Sequence, residues 1–243
     1  MDAFVVIPAR YSSSRFPGKP LVSLKGKPLL RHVYERAKGA RLVREVIVAT
    51  DDRRILEAAE SFGAKAVMTS GGHPSGTDRV AEAVLKLALE APIIVNLQGD
   101  EPLIRPEMID DVIMLLEDER ADIGTLVKKI EKEEEFTDPN IVKAVFDREG
   151  FALYFSRSPV PFRMDKAPLR AYKHIGIYAY RKEALMRLTG LPPTSLEETE
   201  KLEQLRALEN GMRIKIKETE YDTIGVDTPE DLRKVEECLN IFS

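Results

Sequence analysis

Cations and hydroxyl groups are concentrated in one short loop near the start of the sequence. The stretch VIPARYSSSRFPGKPL, residues 6–21, contains Arg10, Arg15 and Lys19 and three consecutive serines from Ser12, directly after an apolar run. The cations could neutralise a chain of phosphates, and the hydroxyl groups could supply directional hydrogen bonds. Because neither familiar glycine-rich phosphate motif is present, a nucleotide site here would use side chains in place of helix amides. The alternative is a solvated basic loop, a common feature of protein surfaces.

Two carboxylates in later motifs could hold a metal ion. Asp100 lies in NLQGDEP, at the end of an apolar run, and Asp227 lies in TIGVDTPEDL, between a short strand-like run and a helical pattern. Mg²⁺ prefers one or two carboxylates together with phosphate oxygens and water, so this pair could complete a metal site beside a phosphate loop. A turn at Asp100 and helix capping at Asp227 are the simpler interpretations, and the residues alone leave them open.

A third candidate is the glycine-rich loop SGGHPSGTDR at residues 70–79. Glycines let the main chain approach a flat base closely and offer it backbone hydrogen bonds. The loop is not a Walker motif, because GTDR lacks the required GKS or GKT ending. We interpret His73 within it as structural or solvent-facing.

Composition narrows the class of protein. The 243 residues carry a net charge of −4, which argues against nucleic acid or an acidic membrane surface as the main partner. The single cysteine, Cys238, excludes an internal disulfide framework and is typical of an inert packing thiol in a reducing compartment. No signal-peptide pattern opens the sequence, and no segment approaches the roughly 20 apolar residues of a membrane span. We therefore expect a cytoplasmic protein without a membrane span.

The elements that must position these residues follow from the hydrophobic pattern. Apolar runs alternate with amphipathic stretches in the first half, which predicts a doubly wound, mostly parallel, Rossmann-like α/β sheet. Asp51 and Thr77 are the predicted caps of two of its helices. Strands are expected at residues 3–7, 45–49, 64–68 and 92–97, and helices at residues 28–40, 51–63 and 77–90.

From Ile123 the rhythm changes to four strand-like runs, DIGTLVKKI, IVKAVFD, FALYFSRS and HIGIYAYR. We expect a β-rich lobe at about residues 123–182, inserted in a single domain of residues 1–243, with EKEEEF as a solvated helix face. Its apolar strands favour a homodimer, because exposed edges and faces of this kind tend to be covered. One helical stretch at residues 197–211, the strand RIKIKET and a last helix beginning with Thr228 as cap and Pro229 as first residue complete the chain.

Seven motifs in order, IPARYSSSRFPGKPL, ATDD, SGTDR, NLQGDEP, KHIGIYAYR, LEQLRALE and GVDTPEDL, closely resemble those of the 3-deoxy-manno-octulosonate (Kdo) cytidylyltransferases. The resemblance covers about residues 4–233. It implies a fold of the nucleotide-diphospho-sugar transferase type and a Mg²⁺-dependent reaction of CTP with Kdo. The products would be CMP-Kdo, for lipopolysaccharide synthesis, and pyrophosphate. The CMP-sialic acid synthetases have a similar basic first loop, but they do not combine KHIGIYAYR with LEQLRALE.

The resemblance also implies roles for individual residues. The catalytic set would be Lys19, Arg10, Asp100 and Asp227, with Lys19 stabilising charge on the α-phosphate and the two aspartates holding Mg²⁺. The nucleotide would contact Arg10, Ser13, Arg15 and Lys19 through its phosphates, and Ser70, Thr77 and Asp78 through cytosine and ribose. The sugar acid would contact Gln98, Arg157, His174, Tyr178, Glu203 and Gln204.

These sugar-acid assignments suit the ligand's chemistry. Arg157 could pair with the carboxylate as a bidentate fork, and the other groups could satisfy its hydroxyls. Glu203 and Gln204 point about 100° apart on a helix, so we expect only the acid to contact sugar directly. Without the resemblance, His174 would read as a packed strand histidine and Arg157 as a surface charge.

Two other functions remain compatible with the motifs. The first is a cytidylyltransferase for another sugar acid, such as sialic acid or an 8-amino analogue of Kdo. The second is a non-catalytic nucleotide-binding regulator, which the joint presence of Lys19, Asp100 and Asp227 disfavours, since a mere binder needs no metal-held α-phosphate. No carboxylate is marked by its sequence context as a general base.

Overall fold

The structure is a computed structural model that describes residues 2–12, 16–164 and 168–241. The chain divides into two compact units. The first consists of Met1–Asp110 with Asp222–Ser243, and the second of Asp111–Tyr221. Within the described residues, no helix has both the length and the apolar character needed to cross a bilayer.

The strands, in chain order, are β1 (Ala3–Ala9), β2 (Ser23–Leu24), β3 (Lys27–Pro28), β4 (Val43–Thr50), β5 (Lys65–Met68), β6 (Ile93–Leu97), β7 (Ile123–Lys129), β8 (Lys143–Phe146), β9 (Ala152–Ser156), β10 (Tyr172–Arg181) and β11 (Ile214–Glu218). The helices are α1 (Leu29–Lys38), α2 (Arg53–Ser61), α3 (Gly76–Lys86), α4 (Pro106–Met114), α5 (Glu133–Thr137), α6 (Lys182–Thr189), α7 (Ser195–Glu200), α8 (Gln204–Glu209) and α9 (Pro229–Ile241). Short 3₁₀ turns lie at Lys19–Leu21 and Leu115–Glu117.

The first unit contains the predicted parallel sheet, with neighbouring strands in the order β6, β1, β4, β5. Strands β1 and β6 are almost entirely buried, as expected for continuous apolar runs covered on both faces. Val6 of β1 pairs with both Ile47 and Asn96, so the central strand is held in register from both sides. Parallel strands end at the same edge, and this edge carries the residues that follow β1 and β6.

The second unit is mixed, as the change of rhythm predicts. Strand β10 pairs antiparallel with β7 and β8, β8 pairs antiparallel with β9, and β11 runs parallel to β7. The predicted lobe at residues 123–182 lies within this unit, and its acidic run forms the short helix α5. The description of the chain as a single domain with an inserted lobe stays a prediction.

The N-caps predicted for helices α2 and α3 are both wrong. The cap of α2 is Asp52, whose side chain accepts a hydrogen bond from the Arg54 amide, while Asp51 accepts one from the buried Arg79 at 2.9 Å. The cap of α3 is Ser75, two residues before the predicted Thr77. Any Asp, Ser or Thr near a helix start can cap it, and tertiary contacts decide which one turns towards the free amides.

The predicted helix at residues 197–211 is also wrong as a continuous element. It is divided into α7 and α8 by Lys201, whose φ of 55° places it in the left-handed region and ends α7. The start of α9 is confirmed: Pro229 is its first residue, and the Thr228 hydroxyl accepts a hydrogen bond from the Asp231 amide at 3.2 Å. Helices α4 and α6 were not anticipated from the pattern.

Gly124 in β7 provides a test of packing in the second unit. A Cβ at this position would lie 2.7 Å from the Val112 carbonyl oxygen and 3.1 Å from Leu115 Cβ, whereas a Cβ at Gly176 in β10 would meet nothing within 4 Å. We predict that Gly124→Ala lowers the free energy of unfolding by about 1–3 kcal/mol, because the backbone must shift to admit the methyl group. Gly176→Ala is the matched control in chemical denaturation. Equal stability of the two variants would contradict the packing described here.

Candidate active site

A lysine and two aspartates meet at the carboxyl edge of the first unit's sheet. Lys19 begins the 3₁₀ turn after β1, Asp100 follows β6, and Asp227 precedes α9. The Lys19 Nζ donates to Asp100 Oδ2 at 2.5 Å and to Asp227 Oδ1 at 3.1 Å. The Lys19 side chain is 12% exposed, so the ion pairs are little screened by water. Three motifs separated by 81 and 208 positions thus converge on one cation.

Local structure holds each member of this triad. Gly18, with φ of 71°, turns the chain so that Lys19 enters the 3₁₀ turn. The Val226 amide donates to the Asp100 carbonyl at 2.9 Å and ties the two aspartate segments together. Asp227 is fixed further through its own amide, which donates to Asp231 Oδ2 at 3.2 Å. Beneath it lies a fully buried apolar cluster of Leu24, Leu29, Val226 and Val235.

Glu101 stands beside the triad and has unusual surroundings. Its Oε2 atom is buried and has no hydrogen-bond partner, and its Oε1 atom would lie 3.2 Å from a Cβ at Gly225. Loss of hydration and the neighbouring charge of Asp100 raise the pKa of Glu101 to about 8. The sequence assigns Glu101 no role, because its enclosure by residues 223–225 appears only in the folded chain.

A polar cavity of about 410 Å³ opens over the triad. It is lined by Pro8, Ala9, Arg10, Lys19, Pro20, Gln98, Gly99, Asp100, Glu101, Gly225 and Asp227. Arg10 is exposed at its margin and adds a second cation. Ser13 and Arg15, also predicted to contact the nucleotide, lie outside the described residues.

A smaller cavity of about 100 Å³ adjoins the first, sharing Pro8, Ala9, Arg10 and Gln98 with it. Its remaining lining consists of His73, Ser75, Gly76 and Arg79, all from the glycine-rich loop and the start of α3. A Cβ at Gly76 would lie 3.3 Å from Pro8 and 3.7 Å from the Gln98 amide, so a side chain there would fill this space.

The wall of the smaller cavity is held by Glu82. Its carboxylate accepts hydrogen bonds from His73 Nε2 and from the Ser70 amide, and it pairs with Lys86 at 2.7 Å. Desolvation opposes its charge, but the contacts with Lys86, Ser70 and His73 outweigh this effect and lower the pKa of Glu82 to about 2. His73 therefore stands beside a carboxylate that is ionised at neutral pH.

The three loop residues predicted to face cytosine and ribose do not line either cavity. Ser70 is exposed, and its hydroxyl accepts a hydrogen bond from Gly72. Thr77 is buried and accepts a hydrogen bond from Asn96 Nδ2 at 3.2 Å. Asp78 accepts a hydrogen bond from the Ser75 hydroxyl at 2.7 Å. The loop was recognised from its glycines, but which of its side chains face outward depends on the turn into α3.

Gln98 lies in the first unit, where its Nε2 donates to Asn96 Oδ1 at 3.2 Å. The other five residues predicted for the sugar acid lie in the second unit. Among them, His174 and Tyr178 are neighbours on β10, with ring centroids 5.2 Å apart. His174 also makes an edge contact with Phe155 at 5.2 Å.

Thr125 contacts the His174 ring and guides the assignment of its tautomer. The Thr125 hydroxyl lies 2.8 Å from the Ile177 carbonyl and 3.3 Å from the Ile175 carbonyl, which can only accept, so we assign its one proton to them and its oxygen as the acceptor from His174 Nε2 at 2.9 Å. This assignment leaves Nδ1 as an acceptor. Loss of hydration lowers the pKa of His174 to about 3, so the ring is neutral at physiological pH.

Tyr178, Glu203 and Gln204 have distinct environments. Loss of hydration and the charge of Glu203 raise the pKa of the Tyr178 phenol, which therefore remains a donor. Glu203 is half-buried at the start of α8, 3.9 Å from Arg206. Gln204 is 8% exposed and buried in the unit, in line with the expectation that only the acid is available to a sugar.

Arg157 is half-buried and already engaged with main-chain carbonyls. Its Nε donates to the Glu200 carbonyl at 2.8 Å and its Nη1 to the Pro139 carbonyl at 3.0 Å. Within the described residues, Nη2 makes no such contact. Three of the five guanidinium N–H groups, one on Nη1 and two on Nη2, are therefore left for a carboxylate.

Comparison with known proteins decides the family. The model of the family described as cytidylyltransferase matches residues 4–214. The chain belongs to the cytidylyltransferase family. The 3-deoxy-manno-octulosonate cytidylyltransferase of Thermodesulfovibrio yellowstonii is 59% identical over 255 residues, covering both chains in full. That of Geobacter sulfurreducens is 53% identical over 251 residues, covering 98% of this chain and 100% of the relative.

Solved structures agree with this cytidylyltransferase assignment. The structure of CMP:2-keto-3-deoxy-manno-octonic acid synthetase complexed with CTP matches with a TM-score of 0.95 and 45% identity over the whole of both chains. A more distant match is 4-diphosphocytidyl-2C-methyl-D-erythritol synthase from Anaerococcus prevotii, with a TM-score of 0.66 and 15% identity over 98% of this chain and 96% of that one. The distant match shows the fold alone. Together they confirm the predicted nucleotidyltransferase fold.

The neutral state of His174 in this cytidylyltransferase can be tested by nuclear magnetic resonance. We predict that its ring resonances do not titrate between pH 5 and 8, with His174→Gln used for assignment. A midpoint near the ordinary 6.5 would contradict the environment described above. An unfolded chain protonates this imidazole near 6.5 and the folded chain only near 3, so His174 lowers stability as the pH falls through that window. The Gln variant is expected to lose that part of the acid sensitivity.

Proposed function

We propose that this chain transfers CMP from CTP to the anomeric hydroxyl of Kdo, releasing pyrophosphate and supplying CMP-Kdo for lipopolysaccharide synthesis. The observation that carries the proposal is the convergence of Lys19, Asp100 and Asp227 in a polar cavity at the carboxyl edge of the sheet. Relatives at 59% and 53% identity are named for this reaction. The matching structure at 45% identity is described as complexed with CTP.

The nucleotide is assigned to the first unit. Arg10 and Lys19 are the cations of the larger cavity and would neutralise the triphosphate, together with Ser13 and Arg15. The smaller cavity of about 100 Å³, with Gly76 and Arg79 in its lining, is assigned to the base, because glycine lets a flat ring approach the main chain closely. Ser70, Thr77 and Asp78 then support the loop rather than touch the base, which refines the role inferred from the resemblance.

Asp100 and Asp227 form a donor set that fits Mg²⁺. No cluster of three or more metal-ligating side chains occurs in the part of the chain that the structure describes. Mg²⁺ does not need one, because it uses one or two carboxylates and completes its shell with phosphate oxygens and water. The two aspartates already converge on a cation, the Lys19 ammonium. Bound there, Mg²⁺ would stabilise negative charge on the phosphates and could lower the pKa of the attacking hydroxyl.

The reaction is an in-line substitution at the α-phosphorus. The anomeric oxygen of Kdo forms the new P–O bond, the bond to the β-phosphate oxygen breaks, and the hydroxyl proton passes to solvent or to a base not yet assigned. Lys19 and Arg10 orient the triphosphate and offset the charge that develops on its oxygens. Lys19 keeps its contact with a carboxylate while one of its remaining protons is available for a phosphate.

The sugar acid is assigned to polar groups of the second unit. Arg157 Nη2 would bind its carboxylate. His174 Nδ1 would accept from a hydroxyl, the Tyr178 phenol would donate to one, and Glu203 would accept. Because His174 is neutral, it contributes hydrogen bonding and not charge.

The decisive experiment measures pyrophosphate release with CTP, Mg²⁺ and Kdo. We predict release with Kdo, weaker or no release with sialic acid, and a loss of about 100-fold or more in Asp100→Asn and Asp227→Asn, since each removes a carboxylate that would hold Mg²⁺ and that contacts Lys19. Lys19→Met is expected to lose as much. Glu57→Gln, in a surface pair with Arg53 at 3.0 Å, is the control and is expected to retain the wild-type rate.

Three outcomes of this assay would contradict parts of the proposal. No release with Kdo would overturn the function, and release with another sugar acid alone would redirect it. A wild-type rate in either aspartate variant, or in the presence of EDTA, would remove the metal assignment. Circular dichroism of each variant shows whether a lost rate reflects a lost fold.

We also propose a cytoplasmic homodimer. The cytoplasmic location is supported by the use of CTP and by the single cysteine, which needs no oxidising compartment. The dimer is supported by large apolar side chains exposed on the second unit: Leu153 on the end strand β9 is 62% exposed, Phe162 is 83% exposed and Met164 is 66% exposed. An interface between two copies of the chain would cover these side chains.

The dimer can be tested by light scattering on the purified protein. We predict twice the mass of one chain for the wild type and a shift towards one chain mass for Leu153→Glu, because a charge would be buried at the interface. Leu85→Glu is the matched control, since Leu85 is exposed to a similar extent, 66% against 62%, but lies in the first unit. A wild-type mass of one chain would contradict the dimer. Equal masses for the two variants would contradict the assignment of Leu153 to the dimer interface.

A further inference from the structure

Lys143, the first residue of β8, is fully buried, with 0% of its surface exposed. Lysine is almost never fully buried unless its charge is paired. Within the described residues, no carboxylate forms a salt bridge with Lys143. An apolar residue of similar size would avoid the desolvation penalty of a buried ammonium, so packing does not explain the choice of lysine.

The partners of Lys143 are three main-chain carbonyls. Its Nζ donates to the oxygens of Asp138 at 2.9 Å, Ile141 at 2.6 Å and Arg157 at 2.6 Å. An ammonium has three protons and each carbonyl takes one, so the group is fully satisfied as a cation. A neutral amine would have only two protons for three acceptors.

These carbonyls belong to two separate segments. Asp138 and Ile141 lie in the loop that leads into β8, and Arg157 directly follows the end of β9. One cation therefore draws the loop and the strand end together. Burial lowers the pKa of Lys143, while the charges of Asp138 and Glu200 oppose this effect.

Both segments also determine the position of the Arg157 guanidinium. Its Nη1 is held by the Pro139 carbonyl, which lies between two residues bound to Lys143. The guanidinium Nε donates to the Glu200 carbonyl, and the main-chain amide of Arg157 donates to Glu200 Oε2 at 2.9 Å. Ser156 donates to Glu200 Oε1 at 2.7 Å and completes the support.

We propose that Lys143 is a positioning residue for the sugar acid: by gathering the carbonyls of the 138–141 loop and of Arg157, it fixes the guanidinium so that Nη2 can meet the ligand's carboxylate. The proposal rests on the proposed function, because it takes Arg157 as the carboxylate-binding residue. Lys143 does not itself touch the substrate. Its effect is transmitted through two carbonyls of the loop and one of the strand end.

The first test compares Michaelis constants for the two substrates. We expect Lys143→Met, which keeps the length and removes the charge, to raise KM for Kdo about tenfold or more, as a misplaced charged hydrogen bond does, and to leave KM for CTP within about twofold. Lys217→Met is the control, since Lys217 lies on β11 of the same unit in an exposed pair with Asp111. Unchanged KM for Kdo, or equal rises for both substrates, would overturn the proposal.

The second test uses chemical rescue and covers the case in which Lys143→Met folds poorly. In Lys143→Ala, added propylammonium can occupy the space of the missing side chain and restore the cation. We expect it to lower KM for Kdo towards the wild-type value, while propan-1-ol, which has the same number of heavy atoms and no charge, does not. Equal rescue by both additives, or by neither in a folded variant, would contradict a role for the charge.

A third readout does not depend on turnover. Hydrogen exchange measured by mass spectrometry is expected to be faster in Lys143→Met for peptides covering residues 138–142 and 155–158, and unchanged for peptides of β11. Unaltered exchange in both peptides would show that Lys143 does not hold them. If wild-type protein shows no pyrophosphate release with Kdo but the exchange result holds, the assigned ligand of Arg157 is wrong and the positioning by Lys143 stands.

Discussion

The site in the first unit depends on the neutralisation of two neighbouring carboxylates by one cation. Asp100 and Asp227 approach the same ammonium, and without it their mutual repulsion would drive the segments after β6 and before α9 apart. Loss of hydration, together with the negative charge of Asp100, raises the pKa of the neighbouring Glu101. In the proposed reaction, Lys19 adds a catalytic role to this structural one. Mg²⁺ held by the same carboxylates would share the structural role, and the ammonium would keep one carboxylate contact while it binds a phosphate.

In the second unit, main-chain carbonyl dipoles stabilise two cations. Arg157 and Lys143 are both cations with little access to water, and each is surrounded by main-chain carbonyl oxygens. Carbonyls stabilise a positive charge without neutralising it, so the net charge of Arg157 remains available to an anionic ligand. A carboxylate in the same position would compete with the sugar acid. Glu200 does not place its carboxylate on the guanidinium. The carboxylate accepts from Ser156 and from the Arg157 amide, and the Glu200 carbonyl accepts from the guanidinium.

Much of this arrangement was accessible from the sequence, because periodicity reports burial directly. Continuous apolar runs predicted the parallel strands, and the residues that follow them had to share one edge. What the pattern lacked were properties that depend on neighbours. Lys201 adopts a left-handed conformation that no local signal marks, which divides α7 from α8. Glu101 directly follows Asp100 in the sequence, but its carboxylate is enclosed by neighbouring residues. The Thr77 side chain points inward, and Ser75 caps α3 in its place.

The first loop shows why side chains can replace the amides of a glycine-rich phosphate loop. Helix amides are fixed by the helix, whereas cations on long side chains are useful only if the loop that carries them is held. Tyr11 provides such an anchor: the Arg54 guanidinium lies 3.4 Å from its ring centroid, and a Cβ at Gly18 would lie 3.1 Å from the same ring. Gly18 also donates its amide to the Tyr11 carbonyl at 2.9 Å. The glycine of this loop thus serves the packing of an aromatic ring and the turn into Lys19, and in the proposed reaction the charge that meets phosphate would come from side chains.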